Sequence, residues 1–109
     1  MAREKILFDK TEVTLETVIG KKAQVIHLPY DRITSVTLEP CRVRRLFKTV
    51  DAERIVVRAS GYAEPMVFRS DQEGSYFESY KEGFRTFCRQ HHITFYDKTA
   101  DNAAQSDGQ

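Results

Sequence analysis

Apolar and polar residues alternate through most of the first seventy positions, and then the period changes. Val13, Leu15, Thr17 and Ile19 fall on one side of an extended segment over 11–19, with Glu12, Thr14 and Glu16 on the other. A period of two marks a half-buried strand. Ile6-Leu7-Phe8 is a short apolar segment ahead of it, and Gly20-Lys21-Lys22 breaks the alternation as a hairpin turn would. The return strand over 23–28 points Ile26 and Leu28 inward and His27 outward. Pro29-Tyr30-Asp31-Arg32 is the next turn, since proline has no N–H to give a ladder. Residues 33–38 form a strand with Val36 and Leu38 in the core, and Pro40 interrupts. Residues 41–47 extend again, with Cys41, Val43 and Phe47 on one face and Arg42 and Arg44 on the other. Arg45 falls on the apolar side, which predicts a bulge or loop near it. Val50-Asp51-Ala52 reads as a turn, 54–58 as the most β-branched strand, 60–65 as a loop and 66–69 as a last strand.

From residue 71 to 92 the spacing becomes helical. Phe77, Tyr80, Phe84, Phe87, Cys88 and His91 recur three and four apart, one stripe of an amphipathic helix. Glu78, Lys81, Glu82, Arg85 and Arg89 fill the other side. Ser70-Asp71-Gln72-Glu73 offers a capping box at its start. Gly74 and Gly83 each lower helix propensity by about 1 kcal/mol against alanine. Gly83 lies beside the aromatic stripe, which predicts close approach to a sheet. Residues 93–96 suit a final short strand, and 98–109, polar and small, suit a disordered tail. The expected organisation is a single domain over 3–97, mainly β within the α+β class.

A chain of 109 residues supports one hydrophobic core. A net charge of +1 argues against a dedicated nucleic-acid binder. The charge is uneven: residues 1–50 carry ten Lys/Arg against six Asp/Glu, +4, and residues 51–109 carry seven against ten, −3. Such asymmetry can steer an anionic partner or pair two copies. Cys41 and Cys88 form no metal-type or redox pair, so two buried free thiols are expected. No secretory or membrane-spanning run is seen, so a cytoplasmic protein is expected.

The segment Ile26-His-Leu-Pro-Tyr-Asp-Arg-Ile-Thr-Ser-Val36 resembles the bacterial pleckstrin-homology-like (PH-like) domains, in which a strand ends in a polar I-P-Y-x-x-I turn and re-enters as the next strand. Pro29, Tyr30, Ile33 and Val36 carry the match. The resemblance extends over about residues 5–92. It implies a PH-like barrel of about seven antiparallel strands in two sheets, capped by one C-terminal amphipathic helix. It also implies a non-catalytic binding module, acting on a protein partner or on a second copy of itself.

The remaining candidates for chemistry are few. Lys21 and Lys22, with Arg42, Arg44, Arg45 and Lys48, form a basic set that could hold phosphate or anionic lipid, since guanidinium groups bind phosphate oxygens bidentately. Tyr76 and Tyr80, four apart on the helix, are candidate interface anchors. His27, His91 and His92 lack metal-ligand spacing, and His91 and His92 suit the negative end of a helix dipole. No nucleophile motif or phosphate loop is present, so no catalytic residue, metal or cofactor is expected.

Overall fold

The computed structural model describes residues 4–99. Seven strands form two sheets. β1 (Ile6–Phe8), β2 (Glu12–Ile19) and β3 (Lys22–Pro29) make an antiparallel three-stranded sheet in that order. β4 (Ile33–Arg45), β5 (Lys48–Ala59), β6 (Met66–Arg69) and β7 (Thr94–Asp97) make a second sheet, in the order β6-β5-β4-β7. Two helices, α1 (Ser70–Glu73) and α2 (Tyr76–His91), lie between β6 and β7. No strand pairs across the two sheets among the described residues, so they form an open pair and not a closed barrel.

The alternation read from the sequence places the core. Val13, Leu15, Ile26 and Leu28 point inward from the first sheet; Val36, Leu38, Ile55, Val57, Met66 and Phe68 point inward from the second. The helix stripe fills the space between them. Phe84 meets Phe8 of β1 edge-on at 4.9 Å, and Tyr80 meets Phe68 of β6 at 6.4 Å. α2 therefore seals both sheets. Gly83 is there for the reason expected: a methyl group on it would overlap the Phe8 ring.

Several local expectations are corrected. Pro40 does not interrupt a strand; β4 runs through it to Arg45. Opposite it, Glu53 gives its N–H to Ser70 Oγ. Pro40 therefore sits at a pair that shares no ladder bonds, with its missing N–H turned outward where β7 has already ended. Val50-Asp51-Ala52 lies inside β5, and the turn falls earlier, at Leu46-Phe47. The bulge or loop expected near Arg45 is a loop, the Leu46-Phe47 turn that follows it directly, and the register shift of this sheet lies between Ile33 and Ser35.

The expected single helix is two. Gly74, at φ +63 and ψ −137, breaks it in a conformation that glycine alone adopts readily. No capping box forms, because Ser70 and Asp71 bond to Glu53 and Arg69 instead. β7 is parallel to β4, not antiparallel, with Val36 opposite Phe95. The charged side of α2 is not simply solvated: Lys81 bonds Glu53 of β5, and Arg85 bonds Asp97 of β7 at 3.0 Å. The described structure runs on to Thr99, whose N–H and hydroxyl both bond Asp97, past the expected start of the polar tail. The rest of that tail lies outside the described residues. No helix among the described residues is long and apolar enough to cross a membrane.

Candidate functional site

β4 and β5 are far longer than their neighbours. β7 pairs with β4 only from Ser35 to Leu38, and β6 with β5 only from Arg54 to Val57. Beyond those rungs, residues 39–53 continue as a two-stranded arm. Its inner face carries Arg42, Arg44 and Asp51. Its outer face carries Cys41, Val43, Arg45 and Lys48, because side chains alternate along the strand. The arm ends in a two-residue turn, with Arg45 opposite Lys48. Leu46, 88% exposed, and Phe47, 98% exposed, form its tip. Leu46 adopts φ +31, a left-handed backbone that turns of this length normally give to Asn or Gly.

The arm gathers four of the six expected basic residues. Arg42 pairs with Asp51 at 3.5 Å, both well exposed. Arg45 reaches Asp71 at 3.5 Å. Asp71 also takes two hydrogen bonds from Arg69 at 2.9 Å, and these hold its carboxyl below the usual range, with Arg45 adding to the effect. Arg44 and Lys48 have no ion-pair partner among the described residues. Lys21 and Lys22 do not join this group; they sit at the β2–β3 turn, on the other sheet.

An open groove of about 970 Å³ lies between the arm and the start of α2, lined in part by Arg42, Asp51, Glu53, Phe77 and Lys81. Lys81 spans Glu53 and Glu78, each at 3.2 Å. Burial alone would lower its pKa, but these bonds outweigh burial and raise it. The polar groups of the groove thus largely satisfy one another.

Of the two tyrosines, Tyr80 is in the core, 1% exposed, and its hydroxyl accepts the Lys5 N–H at 2.7 Å. Its ring cannot face a partner. Burial raises its pKa against the opposing pull of that bond. Tyr76 is half-buried and stacks on it at 6.3 Å.

The other candidates scatter. His91 donates Nε2–H to the Lys10 carbonyl at 2.7 Å and stacks on Tyr30 at 4.3 Å. His27 lies beside Thr14 on the first sheet, and His92 ends α2 at φ +58. Among the described residues no group of three metal-ligating side chains converges. Both cysteines are free, but only Cys88 is fully buried; Cys41 is half-buried, where two buried thiols were expected. Burial pushes the Cys88 thiol up to about 12, which makes it a poor nucleophile at neutral pH.

Sequence reasoning missed Glu73, 2% exposed under Lys5 at 3.3 Å with Oε1 unpartnered, because nothing local distinguishes it from a solvated helix acid. It also missed Leu46 and Phe47 as a tip, though their signal was present: two apolar residues between cations, with no turn-former near them.

A third feature is the outer edge of β3. Glu16 of β2 gives its N–H to Lys5 O on the β1 side. Its β3 partner Val25 therefore turns its own backbone outward, away from the sheet. The Val25 side chain is also 64% exposed. Residues 23–28 carry no formal charge, between Lys22 at one end and Pro29 at the other.

No family model matches the chain, and neither the curated proteins nor the solved structures contain a match.

Proposed function

We propose that this protein is a non-catalytic binding module that assembles with a second copy of itself through the open edge of β3. The observation that carries the reading is that edge. Unpaired strand backbone is a template for another strand, and natural sheets usually blunt it with charge or proline. Here Lys22 and Pro29 guard only the ends, while Ala23, Val25 and His27 between them turn their backbone outward. An antiparallel copy centred on Val25 would set Val25 against Val25 and Ala23 against His27. No like charges would meet, and two three-stranded sheets would become one of six.

The accompanying fold reading is PH-like. It is supported by two sheets, a polar turn after β3 formed by a 3₁₀ segment at Tyr30–Arg32, and a late helix on the core. The parallel β7 and the open sheets depart from the pattern.

Val25→Lys tests the assembly. The side chain is exposed, so the fold should survive, while two lysines would face each other across the proposed axis. Light scattering should give a defined multimer for the natural chain and a monomer for the variant, with unchanged circular dichroism. A natural chain that stays monomeric at high concentration, or a variant of undiminished mass, overturns the proposal.

A further inference from the structure

The arm tip is built against two local rules at once. A bulky residue at positive φ is strained, and two large apolar side chains stand in water at the end of a protruding hairpin. Departures of that kind concentrate at functional sites. Like charges also face each other one rung behind the tip, at Arg45 and Lys48, and only Arg45 has a counter-charge, Asp71, which leaves Lys48 unbalanced.

The order of groups along the arm identifies what would resolve all three. Leu46 and Phe47 come first. One rung back are Arg45 and Lys48, and one further is Arg44, placing the cations roughly 3 to 7 Å behind the tip at ~3.4 Å per residue. The first acidic group on the arm is Asp51, already paired with Arg42. Apolar side chains that enter a membrane interface lie about 5–10 Å deep at the headgroup boundary. The sequence of apolar tip, then cations, therefore matches the sequence of acyl chain, then phosphate, read outward from a bilayer. The two tip side chains, 88% and 98% exposed, are convex, which suits a soft, flat surface better than a protein pocket.

We propose that the Leu46–Phe47 tip inserts into the interface of an anionic phospholipid bilayer, with the unpaired Arg44 and Lys48 on the lipid phosphates. The surface is separate from the β3 edge, on the other sheet, so either proposal can fail without the other.

The chain contains no Trp, so Phe47→Trp supplies a single reporter at the tip. Its emission should shift to the blue on phosphatidylcholine vesicles containing phosphatidylglycerol, and less so as salt rises. Sedimentation with the same vesicles should show at least a tenfold loss of binding for the double variant Leu46→Gly/Phe47→Asn, which suits a turn whose first residue alone has positive φ and keeps the arm folded. Arg44→Gln and Lys48→Gln should each cost about fivefold. An unshifted emission overturns the proposal, as does equal binding to pure phosphatidylcholine or undiminished binding by the double variant. A double variant that loses multimer mass, with no vesicle binding by the natural chain, overturns it too, by making the tip a protein contact.

Discussion

Asp71 shows how much a single side chain can join here. It lies at the start of α1, where the sequence suggested a helix cap, yet it faces back toward Arg69 and across to Arg45 of the arm. Its carboxyl is 11% exposed, so these bonds are poorly screened. Because its pKa is depressed in the folded protein, it contributes stability that is fully present above the ordinary value of 3.8 and is lost as pH falls below that. Urea midpoints measured from pH 6 downward should therefore drop below about pH 4. Asp71→Asn should flatten part of that drop, and an unchanged acid slope would show that the pair is not coupled to folding. The sequence made Asp71 visible as an acid in a first turn but not as a partner of Arg45. Local spacing describes neighbours on one element, and this pair is twenty-six positions apart. Glu73 and Tyr80 were obscure for the same reason: their partner, Lys5, is brought to them only by β1.

At the scale of elements, the strands with clean alternation were legible, and so was the aromatic stripe of α2 with Gly83 beside it. Burial on one face imposes a period directly, and close packing demands a missing Cβ. The β4–β5 arm was not legible, because its turn violates turn chemistry and Pro40 mimics a strand end. Proline is tolerated there only because β7 stops at Asp97, a fact of tertiary pairing. The strain at Leu46 makes a prediction of its own. Left-handed backbone in a bulky residue costs on the order of 1–3 kcal/mol. Leu46→Gly/Phe47→Asn should therefore raise the unfolding free energy by about 1 kcal/mol in urea titrations, although it deletes two large apolar side chains. A destabilised variant would mean that Leu46 and Phe47 pack against something in the free protein. A stabilised one would mean that the chain keeps a less stable turn for the sake of its tip.

For the whole molecule, the two proposed contacts differ in physical kind. The strip from Ala23 to Leu28 carries no formal charge, so pairing there rests on backbone hydrogen bonds and apolar contact between Val25 side chains. Salt screens charge over about 10 Å at 0.1 M and leaves such contacts nearly untouched. The arm works the other way, with Arg44 and Lys48 unpaired among the described residues and a lipid phosphate as the proposed counter-charge. The uneven charge of the chain, +4 over residues 1–50 and −3 over residues 51–109, adds to this contrast, because the arm's cations all come from the positive half. Raising salt from 50 to 500 mM should thus leave the multimer mass by light scattering unchanged while vesicle binding falls severalfold. A multimer that dissociates with salt would place charged residues in the contact and exclude the Val25 edge as its centre. Vesicle binding indifferent to salt would leave Leu46 and Phe47 acting alone, without the cations behind them.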